Sequence, residues 1–238
     1  MINISISLAV GIAIFLILFF AGAPLWVSIP GGLAIIFACM FFLGKKVMED
    51  INDIITTSTN ELQSGRVENA IRILKSGYKF SKKHPFVESQ LNAQIGVIYY
   101  VKKDFDKAFE YLNKSFVKHW VAQGMLAVIY MKRYDKKMML ETFEKAVRAN
   151  AKEGFLWNLY AYCLSKIGQQ EEAIKVLDKG SKKIPLDDKI KNNLNSLRNN
   201  EKIKMKNYGD LWYQFHLEKI PMNQRQKIAV SHGKKRLF

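Results

Sequence analysis

The sequence predicts an all-α membrane protein: an N-terminal transmembrane helical hairpin, an α-solenoid of about four helix-pair repeats, and a C-terminal capping helix. Three observations carry that expectation. None of the 37 Lys and Arg or 21 Asp and Glu in the 238 residues lies before Lys45. The remaining chain carries the whole formal net charge of +16. Small and aromatic residues then recur at a period near 34 residues across residues 51–188. The first observation excludes a wholly soluble chain, because the 49% hydrophobic total averages an uncharged apolar block with an ordinary polar segment.

Residues 1–44 are read as the transmembrane hairpin. From Ile4 to Ala21 the chain is almost continuous Ile, Leu, Val, Phe and Ala, long enough at about 1.5 Å per residue to cross most of a hydrocarbon core of roughly 30 Å. A second run, Leu25 to Leu43, follows after Gly22, Ala23 and Pro24. A cleaved signal peptide is the alternative; it is disfavoured because no positive charge precedes the run and apolar sequence continues past Ala23. Pro30, Gly31 and Gly32 interrupt the second run, which is expected to kink or to be partly re-entrant there, with Trp26 near an interface. Lys45 and Lys46 directly follow it, while the connecting loop is uncharged. The positive-inside bias then keeps both the N-terminus and everything after residue 44 cytoplasmic.

Residues 45–50 form a junction. Between Lys45 and Ser64 there is neither Pro nor Gly, so the second span is expected to continue into the first repeat helix. The run Thr56-Thr57-Ser58-Thr59 lowers helix propensity and marks the place for a bend.

The repeats are read from three columns. An earlier helix carries a small residue at Ser58, Gly96, Ala127 and Ala161. A second small or flexible residue follows at Ala70, Ala108, Met139 and Ala173, and a large apolar one a helical turn on at Leu74, Leu112, Phe143 and Leu177. Gly65, Asp104, Asp135 and Gly168 separate the paired helices. An irregular helical bundle is the competing architecture; recurrence at a fixed period argues for the array. A helix over 189–206, with Ile190, Leu194 and Leu197 on one stripe, fits a solvating cap.

These columns resemble the tetratricopeptide repeat. In the fourth unit Trp157, Tyr160-Ala161, Gly168, Ala173, Leu177, Gly180 and Pro185 fall where that family places its Trp, Leu-Gly, Gly, Ala, apolar, Ala and Pro. The second unit keeps Ile95-Gly96, Tyr99, Ala108 and Leu112, and the third keeps Leu126-Ala127, Tyr130, Phe143 and Ala146. The first unit departs, with Glu61 in place of an aromatic and about four extra residues around His84-Pro85. The architecture is similar to that of bacterial inner-membrane proteins in which a hairpin precedes such repeats, including the family named after the haem-synthesis operon, although this chain is short for that family.

The resemblance implies a partner-binding groove lined by the first helix of each unit. In this register the lining residues are Ala93, Val97, Tyr100, Gly124, Val128, Met131, Phe155, Asn158 and Tyr162. That mostly apolar and aromatic lining suits an amphipathic helix or extended segment of another protein; Tyr100 and Tyr162 read equally well as inter-repeat core. The Lys, Arg and Asn cluster by which related arrays clamp a chaperone's terminal carboxylate is not reproduced.

The basic charge gathers at Lys75, Lys79, Lys82 and Lys83, at Lys132, Arg133, Lys136 and Lys137, and at Lys179, Lys182 and Lys183. A solvated surface accounts for any one cluster; their recurrence suggests a basic stripe toward anionic lipid, with Lys45 and Lys46 as the membrane-proximal pair. Nucleic acid is disfavoured because no recognition module accompanies the charge. The segment 207–238 is a basic aromatic tail: Tyr208, Leu211, Trp212, Tyr213, Phe215 and Leu217, then Pro221, then Arg225, Lys227, Lys234, Lys235 and Arg236. Packing on the last repeat, dipping into the membrane interface and docking on a partner are the three readings of its aromatic part.

No catalytic, cofactor-binding or metal site is expected. His84, His119, His216 and His232 are scattered, and Cys39 and Cys163 have no partner spacing. No phosphate-binding Gly loop or nucleophile motif occurs. The expected function is a non-enzymatic, inner-membrane scaffold that recruits or positions protein partners of a membrane-embedded machine for envelope assembly, secretion or motility. A subunit that regulates a channel or transporter through its hairpin is the alternative. The oligomeric state is not legible in the sequence.

Overall fold

The computed structural model describes residues 2–219. Among them there are eleven α-helices and no strand. In chain order they are α1 (Ile2–Phe20), α2 (Leu25–Gln63), α3 (Val67–Ser76), α4 (Val87–Val101), α5 (Phe105–Leu112) and α6 (Trp120–Lys132). They continue as α7 (Lys136–Ala149), α8 (Gly154–Lys166), α9 (Gln170–Lys183), α10 (Asp188–Arg198) and the single turn α11 (Asp210–Tyr213). The chain divides into two compact units: Met1–Ile98 with Glu110–Phe116, and Tyr99–Phe109 with Val117–Phe238.

In the first unit α1 and α2 pack as a helical hairpin, and both are long and apolar enough to cross a membrane. Small residues make the contact: Ser7, Gly11, Ser28 and Gly32 are buried, while Phe20, Trp26, Phe37, Phe41 and Phe42 face outward. A Cβ added at Gly11 would run into the Ile36 side chain, and one at Gly32 would stand 3.1 Å from Phe15 Cβ, so the backbones meet at glycine.

The second apolar run stays helical through Pro30: α2 runs without interruption for 39 residues, about 58 Å at about 1.5 Å per residue. Pro30 removes only one helix hydrogen bond, near the start, and the Ser28 hydroxyl donates to the Ala23 and Pro24 carbonyls, each at 3.3 Å. The Thr-rich run does not interrupt α2 either. Thr57 and Thr59 hydroxyls fold back onto the Asp53 and Ile55 carbonyls. Buried Ser58 donates instead to the Ala70 carbonyl of α3 at 3.1 Å, so the first small column is an inter-helix hydrogen bond as well as a close contact.

Near the start of α1, the Ile2 amide donates to the Lys82 carbonyl at 2.9 Å and Asn3 Nδ2 to the Leu43 carbonyl at 3.2 Å. Glu61, where the family places an aromatic, clasps the α2–α3 turn: Arg66 Nε donates to it at 2.6 Å and Asn69 Nδ2 at 2.5 Å. The hydrogen bonds from Arg66 and then Asn69 hold its carboxyl down at about 2. The extra residues before α4 are taken up by a 3-10 turn, Gly77–Phe80, and the turns that follow.

In the second unit α6 packs on α7 and α8, and α8 on α9 and α10. The column residues Ala127, Met139, Phe143, Ala161, Ala173 and Leu177 have no exposed surface. Phe143 stacks on Tyr160 with centroids 4.7 Å apart, and the Trp157 ring lies over Gly180, where a Cβ would be 2.9 Å from the indole.

One turn recurs along the described residues. Gly22, Gly65, Lys103, Tyr134, Gly168 and Asn200 all have φ between 58° and 85°. In each case the next residue's amide bonds back five residues: Ala23 to Leu18, Arg66 to Glu61, Asp104 to Tyr99, Asp135 to Tyr130, Gln169 to Leu164 and Glu201 to Ser196. This is the Schellman closure of a helix by a left-handed residue. Asp104 and Asp135, read from sequence as the turn residues, stand one place later and accept from the amides of Lys107 and Met138. The same closure at Asn200 corrects the expected capping helix: α10 ends at Arg198 and not near residue 206.

Candidate functional site

The helices expected to line a groove contribute to both units. In the first unit Ala93 is fully buried and Val97 partly exposed. The second unit contains Tyr100, Gly124, Val128, Met131, Phe155, Asn158 and Tyr162. Val128 is buried in the helix layer and Met131 is half-buried. The other five share a neighbour that groove reasoning did not include: the chain's own residues 203–218.

After α10 the chain forms a 3-10 turn at Lys206–Tyr208 and then α11. Tyr208, Trp212 and Phe215 point into the groove. The Tyr208 ring meets Phe155 edge-on at 4.9 Å, and its hydroxyl accepts from Asn158 Nδ2 at 2.8 Å. Trp212 meets Tyr162 edge-on at 4.7 Å. Phe215 lies 5.1 Å from the Phe155 ring and sits over Gly124, where a Cβ would be 3.2 Å from its ring. A Cβ at Gly124 would also stand 3.0 Å from Leu159 Cδ2, so a helix side chain and the Phe215 ring together leave room for glycine only.

Polar groups fix the register. The buried Tyr100 hydroxyl donates to the Phe215 carbonyl at 2.7 Å. Its ring stacks on His216 at 5.8 Å, and His216 Nε2 lies 3.2 Å from the Val101 carbonyl. Glu218 accepts from the Tyr162 hydroxyl and from Trp212 Nε1, both at 3.3 Å. At the other end the Asn193 amide donates to Asn158 Oδ1 at 2.7 Å and accepts the Lys204 amide at 2.9 Å. Burial raises the pKa of Tyr100, Tyr162, Tyr208 and the Cys163 thiol, so all stay protonated at neutral pH.

Trp212 and Phe215 are completely buried, worth on the order of 2–3 kcal/mol each against about 1 kcal/mol for one hydrogen bond. The rings supply the adhesion and the polar groups the alignment. The aromatic cluster was visible in sequence; its destination, along the inner helices and not on the last repeat alone, was not. The basic residues Arg225, Lys227, Lys234, Lys235 and Arg236, with Pro221, lie outside the described residues. Lys45 pairs with Glu49 at 3.8 Å along α2, and Lys46 is exposed. Among the described residues no group of three or more His, Cys, Asp and Glu is placed to hold a metal ion.

Residues 156–182 match the tetratricopeptide repeat family model. This stretch covers most of α8 and α9 and contains Trp157, Ala161, Gly168, Ala173 and Gly180. A solved structure named "MamA RS-1 ArsTM double mutant" is similar, with 18% identity over 70% of this chain and 92% of that one and a TM-score of 0.47. No curated protein matches the chain. The matched residues include Asn158 and Tyr162 of the groove, and Phe155 directly precedes them.

Proposed function

We propose that the protein is a membrane-anchored tetratricopeptide scaffold that recruits or positions protein partners of a membrane-embedded machine, such as one for envelope assembly, secretion or motility. The hairpin α1–α2 crosses the bacterial inner membrane twice and the repeats stand on its cytoplasmic side. One observation carries this reading: α2 leads from the apolar run through Lys45 and Lys46 to Ser58 and its hydrogen bond to Ala70 without a break. Anchor and first repeat are thus joined by a rigid rod, which suits a protein that holds others at a set place. The second-unit groove residues Tyr100, Gly124, Met131, Phe155, Asn158 and Tyr162 are the proposed protein-binding surface. The basic residues near the membrane favour anionic lipid.

Affinity capture after cross-linking in membranes tests the function, with the full chain compared to one lacking residues 1–44. A scaffold keeps its partner when the repeats are free in solution. Loss of every partner with the hairpin favours a subunit that works through its spans on a channel or transporter. A reporter fused after Phe238 should behave as cytoplasmic; protection of the repeats on the opposite face reverses the topology.

A further inference from the structure

We infer that the groove of the second unit is an exchangeable site for aromatic peptide segments, occupied in the resting protein by its own residues 203–218. The inference deepens the scaffold reading and rests on it: it names what a partner must carry. The resident segment displays the pattern. A phenol at Tyr208, an indole at Trp212, a phenyl ring at Phe215 and a carboxylate at Glu218 meet Phe155 with Asn158, Tyr162, Gly124 with Tyr100, and the Tyr162 hydroxyl in turn. A partner segment with an aromatic residue, another four positions on, a third three further and an acidic group three beyond fits the same places.

Three features mark the segment as a ligand and not a repeat. It forms only a single helical turn and a 3-10 turn, and side-chain rings and single hydrogen bonds hold it to the helices beneath. It follows the exposed residues Asn199–Lys202, the first three of which make the closure of α10. Its fit is also imperfect: the Tyr213 hydroxyl is buried with no hydrogen-bond partner among the described residues. A competitor with phenylalanine at that position avoids stranding a hydroxyl. The walls, by contrast, are braced on their other side, with Phe143 on Tyr160 and Trp157 on Gly180.

The test uses the full chain in lipid nanodiscs with a protease site inserted between Lys202 and Ile203. A fluorescent peptide of residues 203–219 is titrated before and after cleavage. The uncut chain should bind it at least roughly 100-fold more weakly, because the tethered segment competes at an effective concentration near millimolar. After cleavage the peptide should exchange in and displace the cut fragment. Tyr100→Phe, which removes only the donor to the Phe215 carbonyl, should weaken the peptide roughly five- to tenfold. A peptide carrying Tyr213→Phe should bind roughly fivefold tighter. A cut fragment that never exchanges, or cleavage that collapses the helical circular-dichroism signal, makes the segment a fixed part of the fold and overturns the inference. If exchange fails while membrane cross-linking still captures a partner, the scaffold reading stands and its contact lies on another face.

Discussion

At the residue scale, the recurring left-handed position separates what glycine does from what a helix closure needs. Gly65 and Gly168 adopt it without strain, whereas Lys103, Tyr134 and Asn200 carry a Cβ there. Tyr134 is 95% exposed, so its ring contributes little burial to offset the strained backbone. Tyr134→Gly should therefore stabilise the protein by about 0.5–1 kcal/mol, read as a higher urea midpoint with an unchanged slope. Among the described histidines, burial lowers the pKa of His84, His119 and His216, and the last two are the more deeply placed. His119 caps α6 by accepting the Ala122 amide at 3.2 Å, and burial lowers its pKa. His216, among Tyr100, Phe105 and the Val101 carbonyl, is lowered chiefly by burial and further by Lys103 and Lys132. A depressed folded-state pKa means that the unfolded chain takes up protons first. The stability these groups contribute is complete above about pH 6.5 and is lost as pH falls below it. Urea midpoints measured from pH 7.5 to 5 should decline, and the double variant His119→Asn, His216→Asn should flatten that decline.

At the element scale, helix pairs are fixed by where two backbones approach. Gly180 lies against the rigid Trp157 indole, so Gly180→Ala forces ring or helix to move and should cost about 1–3 kcal/mol in thermal or urea unfolding. Much of this level was legible in the sequence, because a helix contact needs a small residue on one side and a large one on the other. The columns Ala127–Ala161 and Phe143–Leu177 are indeed buried. Helix ends were less legible. Lys103 and Tyr134 do not advertise a left-handed backbone, and α10 stops at Arg198 although apolar residues continue to Met205. Pro30 reads from sequence as a point to kink, yet the helix continues through it, because a missing amide matters less near a helix start than in its middle.

For the whole molecule, a 39-residue helix that begins in an apolar run and ends in the first repeat couples the two mechanically. Inserting a flexible Gly-Ser stretch after Lys46 should leave membrane insertion and repeat stability unchanged while reducing function, measured as cross-linking yield to the captured partner. Full yield would show that the rigid connection is dispensable. The groove's occupant was the part of the molecule that sequence reading could not place. The bond from Tyr100 to Phe215 joins positions 115 residues apart, and no local periodicity encodes which distant surface an aromatic cluster will choose.

That long separation imposes an order of events during synthesis. The side chains that line the groove have all been made once Tyr162 has left the ribosome, yet Phe215 follows roughly 50 residues later. At about 5–20 residues per second, the walls wait roughly 3–10 s for their own segment. Each newly made chain thus passes through a brief period in which the groove-lining side chains exist without the segment that covers them.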